Sequence, residues 1–325
     1  RLVADAATNN QRIRALAGLG GFEDTGGAPL VVASVAAALR RTPSARAFRA
    51  ACHTLRTGQK VSLEQLLGRW ASLGYQFEPG VEVPGTASRR GGIVDVFPPS
   101  ALLPARIELW GDVVESIRLF DPSTQRSLRL ADSITITPAR ETLPSLADQV
   151  LVGQLVAGLG YSACTPAARE RIQEELEMLL SGQGVEELAF YAGFFNRGCL
   201  TDYLGPEGVV ALVRPGEVEA EATEIQRRAD ELRRSREDLG GLPVGFPSPM
   251  LEYHELQASV DAVPRRLLLT RGGDAFAPAP SSYGAIDRFP TLARELLIEG
   301  GRLVIVSQNA QRLAEILGDG GIVAE

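Results

Sequence analysis

The sequence predicts a multi-domain α/β protein that includes a smaller α+β section built on a mostly antiparallel sheet. Two observations predict this fold class. Helix-like and strand-like segments alternate towards both ends of the chain, and five short strand-like runs follow one another between residues 92 and 137. The 325 residues also exceed what one compact core usually contains. We therefore expect three sections, with boundaries at residues 1–54, 55–140 and 141–325.

Composition and charge exclude several classes of protein. The net charge is −7, and Lys60 is the only lysine, which disfavours a non-specific nucleic-acid binder. No apolar run reaches the roughly 18–20 residues that a membrane-spanning helix needs. The three cysteines are odd in number and widely spaced, which favours a reducing, cytoplasmic setting over a disulfide framework. Because the chain starts at Arg1 and stops within an α/β pattern, we expect a piece of a longer protein.

The first section has α/β character without a nucleotide loop. Its spacing predicts a helix over Asn9–Leu19, a buried strand over Pro29–Ala33 and a helix over Val35–Arg41 that Ser34 caps. A G-x-x-x-x-G-K-[ST] loop is absent from the sequence. Its nearest approach, Gly58–Val61, lacks the hydroxyl directly after the lysine. We predict neither a cofactor nor a metal site.

The middle section begins with a helix capped by Ser62, with Gln65 in the position that completes a capping box. Its apolar face consists of Leu63, Leu66, Leu67, Trp70 and Leu73. Strand-like runs follow at Gly92–Phe97, Ala105–Trp110, Val113–Phe120, Ser127–Leu130 and Ile134–Thr137. Gly111-Asp112 between two of these runs indicates a two-residue hairpin.

The last section returns to an α/β pattern. Helices are predicted at Ser145–Leu159, Pro166–Ser181, Pro215–Leu239 and Ala310–Leu317. Strands are predicted at Gly208–Val213, Arg265–Leu269 and Arg302–Val306, and an Ala- and Pro-rich loop at Asp274–Ser282.

Catalytic candidates are weak. Cys52-His53 is adjacent in sequence, and adjacent side chains rarely converge as a nucleophile and its base. A carboxylate pair for acid–base chemistry is conceivable among four acidic residues of the sheet, although a solvated strand face beside arginines explains them more simply. These residues are Asp95, Glu108, Asp112 and Glu115.

The strand Ala105–Trp110 carries the most informative pattern. Because side chains alternate along a strand, Ile107 and Leu109 face the core while Arg106 and Trp110 share the outer face. A two-residue turn would set Trp110 opposite Val113, and Glu108 opposite Glu115. Neighbouring exposed Trp and Arg side chains are typical of protein interfaces. The alternative is that Trp110 folds back onto its own sheet and Arg106 is merely solvated.

A family resemblance covers nearly the whole chain. The stretch Val83–Pro99 contains an R-G-G-hydrophobic-hydrophobic-D-hydrophobic-F-P run, which resembles UvrB and the transcription-repair coupling factors (Mfd). It continues in register through Arg106–Asp112, Glu115–Arg118 and Phe120–Pro122. The later segments resemble the coupling factors rather than UvrB: Thr124–Leu128, Ile136–Glu141, Asp202–Leu204, Val304–Ser307 and Gln311–Leu313.

The resemblance implies a docking role in nucleotide excision repair. In this family the middle domain recruits UvrA, and the UvrA-contacting residues correspond to Arg90, Arg106 and Trp110 of this chain. The family commonly has Phe where Trp110 stands, so a large flat apolar group is kept. On this hypothesis, Arg106→Ala or Trp110→Ala weakens UvrA binding by about 2 kcal/mol or more without unfolding the protein.

The resemblance also implies the surroundings of that site. The flanking sections would form a degenerate P-loop-NTPase-type domain, split by the middle section. RNA polymerase, double-stranded DNA and an ATP-driven translocase motor belong to domains outside this chain, and those domains are able to mask the UvrA site. Two alternatives stay open. One is UvrB itself, the ATP-dependent damage-verifying subunit, and the other is a stand-alone hydrolase or nucleotide-binding enzyme.

Overall fold

The computed structural model describes residues 6–22, 29–270, 289–298, 303–305 and 310–322. The chain divides into two compact units, Arg1–Leu269 and Thr270–Glu325. The architecture is mixed α/β, with a multi-stranded and mostly antiparallel sheet in the first unit. None of the described helices is long and apolar enough to cross a membrane.

The chain begins with three helices: α1 (Ala6–Leu19), α2 (Val35–Ala38) and α3 (Ala45–Ala51). Ser34 caps α2 as predicted, since its side chain accepts a hydrogen bond from the Ala37 amide. The predicted buried strand Pro29–Ala33 is wrong. No strand pairs with this segment within the described part of the chain, and Leu30 and Val32 are 68% and 65% exposed. An apolar run becomes a strand only where a neighbouring strand accepts its hydrogen bonds.

The middle section contains a six-stranded sheet with the order β2-β3-β4-β5-β6-β7. These strands are β2 (Gln76–Phe77), β3 (Thr86–Arg90), β4 (Ile93–Val96), β5 (Ala105–Trp110), β6 (Val113–Phe120) and β7 (Ser127–Leu130). Only the short β2–β3 pairing is parallel. Beside this sheet, β1 (His53–Arg56) and β8 (Ser133–Ile136) form an antiparallel pair. The predicted antiparallel sheet is confirmed.

The inner face of the sheet packs against helix α4 (Leu63–Ser72). Ser62 caps this helix by accepting a hydrogen bond from the Gln65 amide. The predicted apolar face lies against the sheet, with Leu66, Trp70 and Leu73 buried. Ile107 of β5 is completely buried in the same core, so the other face of β5 is the one directed away from α4.

The rest of the first unit is largely helical. It contains α5 (Gln149–Ala157), α6 (Pro166–Leu180), α7 (Ala192–Phe195), α8 (Pro215–Asp238) and α9 (Tyr253–Asp261), with 3-10 turns at Pro144–Leu146, Leu188–Tyr191 and Leu200–Tyr203. Strands β9 (Val209–Val213) and β10 (Arg265–Leu269) pair in parallel. The helix predicted over Ser145–Leu159 is shorter in the structure, where it spans Gln149–Ala157. It begins at Gln149 because the Asp148 side chain caps it by accepting a hydrogen bond from the Val150 amide.

The described part of the second unit contains α10 (Phe289–Ile298) and α11 (Ala310–Asp319), and α11 confirms the helix predicted at Ala310–Leu317. The predicted loop Asp274–Ser282 lies outside the described residues. The predicted strand Arg302–Val306 is described only at residues 303–305, which form neither helix nor strand.

Candidate functional site

The hairpin formed by β5 and β6 carries two of the predicted site residues, Arg106 and Trp110. Gly111 adopts a φ of 63° in the turn, a conformation that glycine tolerates without strain. Trp110 lies opposite Val113, as predicted. The predicted pairing of Glu108 with Glu115 is wrong, because a register shift between Glu108 and Leu109 leaves Glu115 without an opposite residue.

The register shift removes the like-charge contact that the turn alone would impose. Glu108 lies opposite Ser116, whose hydroxyl donates to the Glu108 carboxylate over 2.7 Å. The guanidinium of Arg118 lies 3.4 Å from the same carboxylate. The β-bulge therefore places a donor and a cation, rather than a second carboxylate, next to Glu108.

Trp110 lies at the end of β5 with its indole directed outward. Its side chain is 79% exposed, so it does not fold back onto its own sheet. Arg106 and Glu108 project from the same side of β5, as strand alternation requires. An exposed indole of this size is costly to leave in water and is a strong candidate for burial by another protein.

Asp95 joins two of the predicted site arginines beneath this surface. Its Oδ1 accepts from Arg106 Nε at 2.8 Å, and its Oδ2 accepts from both Arg106 Nη2 and Arg90 Nη2 at 2.8 Å. The Asp95 side chain is only 1% exposed. The interpretation of this carboxylate as part of a solvated strand face is therefore wrong. Arg106 lies directly opposite Asp95 in the β4–β5 pairing and covers it.

Arg106 is more enclosed than an outward strand position suggests. Its side chain is 19% exposed, and its Cζ lies 4.8 Å from the centroid of the Phe120 ring. The hydrogen bond with Asp95 raises the pKa of the Arg106 guanidinium, which keeps this guanidinium protonated. Arg90, by contrast, keeps 56% of its side chain in solvent.

Two apolar neighbours on the same face escaped the sequence prediction. Ile93 is 37% exposed and lies opposite Glu108, while Leu130 is 70% exposed and lies opposite Arg118. Alternation along β4 and β7 shows which of their side chains share a face, but the register between strands is needed to place those side chains beside Glu108 and Arg118. We define the outer face as Arg90, Ile93, Asp95, Arg106, Glu108, Trp110, Arg118 and Leu130.

Cys52 and His53 take structural positions. Burial raises the pKa of the Cys52 thiol to about 12, which opposes the thiolate that a nucleophile needs. The buried Trp70 indole donates its Nε1–H to His53 Nε2 over 3.2 Å. His53 Nδ1 must then carry the proton, and it donates to the Ala51 carbonyl at 3.3 Å. Burial, with the nearby Arg69, lowers the pKa of His53 to about 4.

This arrangement predicts a pH-dependent stability. The pKa of His53 rises from about 4 to about 6.5 on unfolding, so the unfolded chain binds more protons below pH 6.5. The contribution is complete above pH 6.5 and is lost as pH falls towards 4. After allowance for solvent at the partly exposed ring, we expect His53→Gln to remove about 1 kcal/mol of the stability loss between pH 7.5 and 5. Urea denaturation of both proteins at the two pH values measures it, and equal losses would contradict the assignment.

A cavity of about 560 Å³ lies in the first unit, apart from the outer face. Its lining includes Arg40, Arg140, Glu186, Glu187 and Phe190. Charges of both signs line this cavity beside apolar groups, so it indicates no single class of ligand. No group of three or more His, Cys, Asp or Glu side chains able to hold a metal ion occurs among the described residues.

The comparisons with known proteins converge on the section that carries the outer face. Residues 54–141 match the family described as the UvrB interaction domain. The family match begins and ends within one residue of the predicted middle section, 55–140.

Transcription-repair-coupling factors are among the proteins that part of this chain resembles. The protein of Bacillus subtilis (strain 168) is 30% identical over 216 residues, which cover 63% of this chain and 18% of that relative. The protein of Myxococcus xanthus is 35% identical over 200 residues, which cover 61% of this chain and 16% of that relative. The protein of Staphylococcus aureus (strain USA300) is 41% identical over 88 residues, which cover 27% of this chain and 7% of that relative. The resemblance predicted from the sequence is confirmed.

This chain spans less than a fifth of the length of each of these relatives. The 88-residue match at 41% identity is as long as the UvrB interaction domain, and it is higher in identity than the longer matches. Every residue of the outer face lies within the UvrB interaction domain.

Proposed function

We propose that this chain is the N-terminal module of a transcription-repair coupling factor and that its UvrB interaction domain binds UvrA through the outer face. Arg90, Arg106 and Trp110 are the residues assigned to this contact. The observation that carries the proposal is Trp110, a residue that is 79% exposed on a sheet that lies within the match to the UvrB interaction domain family. An exposed indole beside guanidinium groups is the combination that dominates many protein interfaces.

The charge on the outer face supports an acidic counterpart on UvrA. Two guanidiniums share one carboxylate at Asp95, so this cluster keeps an unbalanced positive charge. Arg90 exposes more than half of its side chain and bonds Asp95 through Nη2. Its other N–H groups are available to a carboxylate of the partner.

We also propose the domain architecture of this chain and the activities of the intact protein. Residues 1–54 and 141–325 form the two parts of a degenerate P-loop-NTPase-type domain, with residues 55–140 inserted between them. The intact protein displaces stalled RNA polymerase with an ATP-driven translocase that tracks on double-stranded DNA. Its further domains mask the outer face until polymerase is engaged. The piece itself acts as a protein-binding module.

UvrB is the alternative within the same family. The relatives found over 61–63% of this chain are coupling factors, which favours the first proposal. Titration of the purified chain with ATP and with damaged DNA tests the alternative. Saturable binding of either would favour UvrB, or a nucleotide-binding enzyme, over a docking module.

The proposed contact predicts the effect of Trp110→Ala. We expect the affinity for UvrA to fall about 30-fold, equivalent to about 2 kcal/mol, because the indole exchanges water for protein on binding. Stability should change little, since the indole makes few contacts within the sheet at 79% exposure. Calorimetric titration of UvrA with both proteins measures the affinity, and urea denaturation checks the fold.

Leu239→Ala is the matched control for this experiment. Leu239 is an apolar side chain of similar exposure, 76%, that lies at the end of α8 and outside the UvrB interaction domain. It should leave UvrA affinity unchanged. Equal affinity of the wild-type and Trp110→Ala proteins would remove the site assignment.

A further inference from the structure

We infer that Asp95 is a positioning residue for UvrA docking: it holds Arg106 flat within the outer face and aims Arg90 at the partner. This inference rests on the proposed function. The sequence placed Asp95 among ordinary surface carboxylates, whereas the structure shows it as the centre of a three-residue ion cluster.

The strand register brings the cluster together. Asp95 of β4 lies between Ser88 of β3 and Arg106 of β5, so the long Arg106 side chain folds across its direct neighbour. Arg90 lies two residues beyond Ser88 on β3 and reaches Asp95 diagonally. The two strands that flank β4 thus supply one arginine each, and the Asp95 carboxylate of β4 binds both.

The two arginines have different surroundings and therefore different roles. Arg106 forms two hydrogen bonds with Asp95 through Nε and Nη2, and its guanidinium lies over the Phe120 ring. Phe120 is buried with Val81 and Phe97, which gives the guanidinium a rigid support. Arg90 forms one hydrogen bond with the carboxylate and remains mainly in solvent. Arg90 is the arginine whose remaining donors are oriented for a partner.

Fixing a long side chain before binding improves affinity. An unrestrained arginine loses rotamer freedom when it is immobilised at an interface, and this entropy loss opposes association. Asp95 restrains both guanidiniums in the free protein, so less freedom remains to be lost. Its own burial prevents the carboxylate from contacting UvrA, so its effect is transmitted through the arginines.

Asp95→Asn tests the inference, because asparagine keeps the shape and removes the charge. We expect UvrA affinity to fall about tenfold, as the loss of a charge-assisted hydrogen bond predicts. Asp132→Asn, at an exposed position outside the outer face, is the control and should bind like wild type. Calorimetric titration of UvrA measures all three proteins, and circular dichroism confirms folding.

Double substitutions separate positioning from a merely structural effect. The loss caused by Asp95→Asn should shrink when Arg90 is already replaced by Gln, because Asp95 then has one fewer arginine to aim. It should remain at full size in the Trp110→Ala protein, since the exposed indole takes part in none of the hydrogen bonds that hold the cluster. An undiminished loss in the Arg90→Gln protein would overturn the inference, as would wild-type affinity of Asp95→Asn itself.

A measurement on the wild-type chain does not depend on UvrA or on the folding of any variant. NMR hydrogen exchange should show the Arg106 Nε–H exchanging more slowly than that of Arg118, which is 44% exposed and lies 3.4 Å from its carboxylate partner. Equal exchange would overturn the positioning role. Absence of UvrA binding by the wild type, with Arg106 protected, would instead overturn the proposed function and leave the Asp95 cluster established.

Discussion

Replacing Arg12 by alanine should lower the free energy of unfolding by about 3 kcal/mol, because a buried carboxylate would lose the cation that donates two hydrogen bonds to it. Arg12 of α1 donates to Glu141 from Nε at 2.7 Å and from Nη2 at 2.6 Å. The two side chains are 14% and 6% exposed. Arg12 also donates to the Ala37 carbonyl. Its contacts therefore join α1 to α2 and to Glu141, the last residue of the UvrB interaction domain match. Urea denaturation measures the change.

Arg227→Ala provides the comparison for Arg12→Ala. Arg227 of α8 forms ion pairs with Glu224 and Glu231, but its side chain is 53% exposed. Solvent screens these pairs, so we expect little change in stability. If the two variants lost similar stability, burial would not be the reason that the Arg12–Glu141 pair matters.

Arg106→Ala should lower the free energy of unfolding by about 3 kcal/mol. It would leave Asp95, at 1% exposure, with Arg90 as its remaining ionic partner, and it would uncover the Phe120 ring. Arg90→Ala should cost less than about 1 kcal/mol, since the Arg90 side chain is 56% exposed and Arg106 would still neutralise Asp95. Thermal unfolding of the two variants compares positions that share the same carboxylate.

The burial of Asp95 thus leads us to expect a loss of stability in Arg106→Ala that the sequence alone does not predict. A loss of UvrA binding by that variant combines any lost contact with a loosened sheet. Arg90→Ala isolates the contact, because it removes an exposed guanidinium and retains the Arg106–Asp95 pair. Equal stability losses for Arg90→Ala and Arg106→Ala would contradict the different burial of the two side chains.

The local pattern was sufficient for some strands and insufficient for others. Strands β5, β6 and β7 begin and end at the predicted residues, because their side chains alternate and a Gly-Asp turn separates the first two. Strand β3, Thr86–Arg90, was missed because its sequence lacks the apolar alternation that marks a half-buried strand. It is a strand because β4 pairs with it in an antiparallel ladder.

The opposite error occurred at Pro29–Ala33. This run has the composition of a buried strand, yet no strand pairs with it in the described part of the chain. Composition records what a strand prefers, whereas pairing depends on which segment lies beside it.

The sequence by itself determined that Arg106 and Trp110 share one side of β5, because alternation along a strand is a local property of the backbone. It also identified the resemblance to the transcription-repair coupling factors. Only the tertiary structure decided that Trp110 is free while Arg106 is held. That difference depends on the register between β4 and β5, which sets Asp95 beside Arg106, and on Phe120, fourteen residues away along the chain and under the guanidinium. Contacts between strands decide burial, and burial decides whether a charged side chain supports its own sheet or reaches another protein.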